Sequence, residues 1–291
     1  MSVNGKCSGI RRSYLASAVA ILTMVDVCYI ETILRKVYLL HYTKHLMVDV
    51  MIGDIFLVRG GSKSSTAIVN AQKILYPKAK SSHVEFYLGD GSIIHSTGDN
   101  GVHLAFLLDE LKDIKDEWKV IRLLGVTEQD TENLAKAAIY FLRQEYNVKY
   151  MMKGVDDKSF CSELIAKIYM KANIKILNGK DPSKVAPAHF DKEADQLSLW
   201  EDVTSEYHQI IKKIKENEFE YRFTHNTIKG FLAKRHFLSQ MRKDLSETAT
   251  IILEETGSEG VSKLFDKVKK ELSESRTLDF WDENDTLPYK K

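Results

Sequence analysis

Hydrophobic and polar positions along this chain follow two periods, and the switches between them mark out its elements. Residues 51–58 (MIGDIFLV) read as a turn at Gly53-Asp54 followed by a short buried strand of branched and aromatic side chains. A glycine pair and a Ser/Thr cluster open the next stretch, which then takes helical spacing from Ala67 to Leu75. Residues 83–88 (HVEFYL) alternate as a strand, Gly89-Asp90-Gly91 supplies a tight turn, and residues 92–96 (SIIHS) return. Together they predict a β-hairpin. A second turn at Gly98-Asp99-Asn100-Gly101 leads to a strand over 102–105, a short helical piece over 107–113 and an apolar strand over 118–124. Residues 127–146 carry the helical period, starting at Thr127 and Glu128 with Leu134, Ala138, Phe141 and Leu142 on one face. A further helix opens at Ser159 or Phe160 and continues through Cys161, Leu164, Ile165, Ile168 and Tyr169. Pro182 and Pro187 punctuate a loop, and from Trp200 to Ser275 the pattern is helical and strongly charged, with one apolar stripe at Ile210, Ile211 and Ile214. The acidic and aromatic residues 279–291 read as a mobile or docking tail.

This order implies an α+β fold in three regions: an apolar helical segment over 1–50, a strand-and-helix domain over 51–204, and a charged helical extension over 205–291. In the first region Arg11-Arg12 precede an apolar run that breaks at Asp26 and ends at Ile30. The unbroken part is shorter than the roughly 20 apolar residues a spanning helix needs, and no small-x-small cleavage site follows. Its apolar side chains cover nearly all helical faces, so residues 14–30 are read as a core helix or as a segment inserted in a membrane or lying at its surface.

Composition narrows the classes. With 44% hydrophobic and 29% charged residues and four prolines, the chain is an ordinary folded protein. Its 42 basic and 41 acidic side chains create no field of one sign, which argues against nucleic acid as a partner. Cys7, Cys28 and Cys161 are too few and too far apart for a disulfide framework, and no CxxC suggests zinc. No metal or organic cofactor is implied. The GGSKSS stretch lacks the Gly-Lys-Ser/Thr ending of a phosphate loop and reads as a loop and helix cap.

The chemistry concentrates in three residues. His83 opens one strand of the hairpin and His95 lies twelve positions on, so the turn folds both imidazoles onto one face near one edge of the sheet. Cys161 sits at a helix start, where free backbone N–H groups and the helix dipole favour a thiolate and can receive an oxyanion. A thiol facing an imidazole that a second polar group orients is the arrangement of cysteine hydrolases. Taken singly, each residue is more often structural; their conjunction is what points to catalysis.

Four segments carry a resemblance: Gly53-Asp54-Ile55-Phe56-Leu57, the hairpin from His83 to His95, Glu145-Tyr146-Asn147, and Phe160-Cys161-Ser162-Glu163-Leu164. Over roughly residues 51–200 they resemble the permuted papain-like amidases, the YiiX-like, circularly permuted relatives of the NlpC-type peptidases. The order of histidines before cysteine is also similar to that of lecithin–retinol acyltransferase-like proteins. The resemblance implies a permuted papain-like fold with Cys161 as nucleophile, His83 as base and His95 as its orienting partner. It marks Tyr146 and Glu85 as weaker substrate or oxyanion contacts. Glu85 stands where the family usually has glycine; a carboxylate there would strengthen the imidazolium, restrict the pocket or, as the favoured expectation, face solvent at a sheet edge. Asn147 replaces the usual acid, and no proline precedes Tyr146.

The implied activity is hydrolysis or acyl transfer through a Cys161 thioester, on a peptide amide or a phospholipid acyl ester. The apolar residues 14–30 favour the lipid and a membrane-associated or secreted location. The alternative is a non-catalytic binding module whose protein partner meets the C-terminal helices.

Overall fold

The computed structural model describes residues 52–270 except 116, 150, 151, 153, 257–259, 261, 265, 268 and 269; the apolar run 14–30 and the tail 279–291 lie outside the described residues. Six strands form one sheet: β1 (Ile55–Val58), β2 (His83–Gly89), β3 (Ser92–Thr97), β4 (Gly101–Phe106), β5 (Lys119–Leu123) and β6 (Trp200–Asp202). Their order is β4-β3-β2-β1-β5-β6, and every neighbouring pair is antiparallel. The helices are α1 (Lys63–Gln72), α2 (Leu107–Glu110), α3 (Glu128–Tyr140), α4 (Cys161–Lys171), α5 (Pro187–Gln196), α6 (Thr204–Glu216) and α7 (Glu218–Thr256). This is the α+β architecture expected, a small antiparallel sheet packed on the helix that begins with Cys161. No described helix is long and apolar enough to cross a membrane.

The central strand β1 is covered on both faces, which is why its four residues are uninterruptedly apolar and all buried. Toward one side Ile55, Leu57, Val84, Phe86 and Ile94 share a core with Leu134 of α3 and with Leu164, Ile165 and Ile168 of α4. Toward the other, Phe56 and Tyr87 meet the edge of Tyr207 on α6, with ring centres 4.8 and 5.2 Å apart. The stripe of Ile210, Ile211 and Ile214 is likewise buried. The region from 205 that patterning sets apart therefore starts with a helix packed on the sheet face opposite α4.

The Gly-Asp pair ahead of β1 is a structural clamp. Gly53 has φ of 111°, and a Cβ there would lie 2.9 Å from Leu134 Cδ1. Asp54, 1% exposed, accepts from Arg122 Nε (2.9 Å) and Nη2 (2.8 Å) and from the Tyr207 hydroxyl (2.7 Å). One carboxylate thus joins β1, β5 and α6.

Two elements escape the sequence pattern. Trp200 opens the strand β6, pairing opposite Leu123, instead of a helix. Pro187 starts α5 instead of ending a loop, because proline suits a first helical position whose N–H needs no partner. The helix expected over 127–146 stops at Tyr140. Arg143 takes φ of 73°, and the chain turns to exchange backbone bonds with Val102 on β4 (2.8 Å each way).

Candidate active site

Side chains of the preceding loop fix the start of α4. Ser96 on β3 donates to the Ser159 carbonyl (2.6 Å), and Ser159 Oγ donates to Gln144 (2.8 Å). Glu163, in the first turn of α4, accepts from Asn147 Nδ2 (2.9 Å) and from the Phe160 N–H (3.4 Å). Lys167 lies 3.0 Å from the other oxygen of Glu163 and donates to the carbonyls of Val155 (2.8 Å) and Lys158 (2.7 Å). Asn147 now has a reason: an acid there would press a second carboxylate against Glu163. This Asn147–Glu163–Lys167 brace was not anticipated, although the i,i+4 spacing of Glu163 and Lys167 is a readable signal.

The Cys161 sulfur meets the sheet where two strands part. Pairing between β2 and β3 runs from Gly89–Ser92 back to Phe86–Ile94. Tyr87 donates its N–H toward β1, so by strand alternation the Val84 N–H turns toward β3. The Val84 N–H and Ser162 lie near the Cys161 sulfur and favour its thiolate form. The expectation that the helix start favours a resting thiolate is overturned by burial. Cys161 is 5% exposed, and desolvation pushes its thiol up to about 11 despite those donors.

One residue before Val84, His83 begins a chain of three imidazoles. His83 Nε2 lies 3.2 Å from His95 Nδ1, and His95 Nε2 lies 3.0 Å from His103 Nε2. His95 and His103 are cross-strand partners on β3 and β4. Desolvation, then the neighbouring imidazoles, lowers both His83 and His95 to about 4, so both are neutral at neutral pH. The hairpin lies inside the sheet and not at its edge, because β4 and β1 flank it. Glu85 does not face solvent either, because it lies opposite Phe56 on the sheet face that Tyr207 of α6 covers. It is 3% exposed, with Oε1 3.4 Å from His95 Nδ1 and 3.9 Å from His83 Nε2. Burial raises its carboxyl toward the neutral form. His83 keeps 22% exposure, and His103 at the other end of the chain is also only half-buried.

A thiol at a helix start, docked at a strand beside an imidazole chain, is where comparison with known proteins becomes informative. Residues 49–243 match the family model described as permuted papain-like amidase enzyme, YaeF/YiiX, C92 family. The chain belongs to this family of permuted papain-like amidases. It is accordingly a cysteine hydrolase by family. A crystal structure titled as the metalloprotein yiiX from Escherichia coli O157:H7 is similar over 42% of this chain and 66% of that chain, at 22% identity and a TM-score of 0.35. No curated protein sequence matches.

In this amidase the hydrogen-bond chain assigns the tautomers. The Gly101 carbonyl, 3.0 Å from His103 Nδ1, can only accept, so His103 carries its proton there. In neutral rings His103 Nε2 then accepts from His95 Nε2–H, and His95 Nδ1 accepts from His83 Nε2–H. His83 Nδ1 is left bare. His103 was missed because its role depends on which strand lies beside β3, and the residue itself sits in an ordinary strand pattern. With His83 acting as a base, replacing His103 with alanine should lower kcat about tenfold or more with little change in KM, since a wrong imidazole tautomer would disable that base and leave substrate contacts in place. Glutamine at 103, which can accept from His95, should restore part of the loss in steady-state assays.

The sequence implied no metal, yet His83, Glu85 and His95 each bring one donor atom within 4.8 Å of the others, a set able to hold an ion. Tyr146 is half-buried. Desolvation, followed by the charge of Cys161, raises its phenol to about 12, so it remains a hydrogen-bond donor near the sulfur.

Proposed function

We propose that this chain cleaves an amide bond through a thioester on Cys161. The observation that carries the reading is the position of the Cys161 sulfur near the Val84 N–H, one residue from His83, at the end of an imidazole chain that leaves His83 Nδ1 bare.

At rest the pair is neutral thiol and neutral imidazole, because burial raises one to about 11 and lowers the other to about 4. The proton therefore moves as the bond forms. His83 takes it while sulfur attacks the amide carbon, and the former carbonyl oxygen becomes an oxyanion. The Cys161 N–H at the helix start and the Tyr146 hydroxyl are the donors suited to it, each such donor being worth ~3–4 kcal/mol in related chemistry. Collapse breaks the C–N bond, and the leaving amine takes its proton from His83. Water, losing a proton to His83, then attacks the thioester and releases the carboxylate and the thiol. His95 and His103 hold the tautomer throughout.

Incubation with peptide amides, including peptidoglycan peptides, and separately with phospholipid vesicles tests the substrate class by released amine or fatty acid. Cleavage of an amide supports the proposal; fatty-acid release with no amide cleavage overturns it in favour of lipid acyl chemistry. With an amide substrate, kcat/KM should rise as pH increases through about 4, where His83 loses its proton, and should be flat across neutral pH. A midpoint at the ordinary histidine value of about 6.5 would contradict a buried neutral base.

A further inference from the structure

We propose that His83, Glu85 and His95 form a zinc site whose occupation switches the enzyme off. His83 and Glu85 are two residues apart on β2, so strand alternation sets them on one face, and Phe86 opposite Ile94 places His95 beside Glu85 on the neighbouring strand. The three facing atoms are His83 Nε2, His95 Nδ1 and Glu85 Oε1. They make a triangle with edges of 3.2, 3.4 and 3.9 Å. Its centre lies about 2 Å from every corner, the length of zinc bonds to imidazole nitrogen and carboxylate oxygen. The ligand set, two histidines and one glutamate, suits a borderline ion such as Zn²⁺ and leaves a fourth position for solvent.

The surroundings support an ion without rearrangement. His95 Nε2 lies 3.0 Å from His103 Nε2, and His103 Nδ1 is fixed by the Gly101 carbonyl. His95 therefore already turns a bare Nδ1 to the centre of the triangle while its other N–H is held by a second layer. Glu85 is the residue that departs from the glycine expected at this place, so the third ligand belongs to this chain's own sequence.

Only His83 must change. To bind the ion its Nε2 gives up its proton, and the ring's remaining proton then lies on Nδ1. That ring cannot accept a proton from Cys161. The zinc-bound and catalytic states thus exclude each other, a consequence that rests on His83 acting as the base in the reading above.

The test uses the full chain, stripped with chelator and titrated with zinc chloride. One equivalent should bind, raise the melting temperature, and still bind in Cys161→Ser. Glu85→Gln should weaken binding at least tenfold and abolish the melting shift, with His95→Gln as a second variant should that protein fail to fold. Binding lost in Cys161→Ser, or unchanged by substitution of Glu85 and of His95, overturns the site. Amidase turnover should fall on zinc addition, recover with chelator, and become insensitive in Glu85→Gln relative to its own metal-free rate. Zinc bound stoichiometrically with turnover undiminished overturns the switch. Failure of the amidase reading itself would instead appear as absent turnover in chelator alone.

Discussion

Cys161→Ala should remove amide hydrolysis while leaving a folded protein. Removing the nucleophile from a unit of cooperating catalytic groups costs on the order of 10⁶ in kcat, because no other member can form the covalent intermediate. The structural effect should be far smaller. The Cys161 side chain is small and sits at the rim of the core, and the main loss is a polarisable group near the Val84 N–H. Even a buried donor left wholly unpartnered costs only about 1–3 kcal/mol. Cys161→Ser restores an acceptor there without restoring a competent nucleophile, so it should melt closer to the parent and remain inactive. Product release and thermal melting, measured on both variants, check the two halves together. Undiminished turnover in Cys161→Ala would reject the thioester route, and the non-catalytic binding module would then stand in its place.

Arg122→Met should have the largest effect on stability, about 3–5 kcal/mol, the range for removing one partner of a buried ion pair. Asp54 would keep only the Tyr207 hydroxyl among the three bonds it now accepts. Its carboxylate would be almost wholly enclosed with no countercharge. The cost falls on the joint of β1, β5 and α6, and the site lies on the strand next to β1. Urea unfolding should show a lower midpoint with little change in slope, and replacing Asp54 with leucine in the same chain should recover part of the loss. A change below about 1 kcal/mol would mean that the clamp adds nothing beyond packing.

Some of this was determined by sequence alone, because the forces involved are local. The hairpin from His83 to His95 follows from alternation and a Gly-Asp-Gly turn, and its two strands form in the structure as read. The helix beginning at Cys161 follows from its apolar period and lack of breakers. The permuted order, histidines before the cysteine, is a property of the chain and carries the family with it.

What depends on neighbours distant in sequence was decided by the tertiary structure. β6 is a strand because β5 offers it a ladder, and three residues are too few to announce a period. Glu85 has the pattern of an exposed strand residue; it is buried because it shares the sheet face of Phe56 and Tyr87, which α6 covers. His103 joins the site only because β4 pairs in register with β3, putting it opposite His95. The charge state of Cys161 is decided the same way. The helix start, visible in sequence, favours a thiolate. The core around Val84 strips water from the sulfur and raises its pKa, and this desolvation, which only packing sets, outweighs the pull of the helix start.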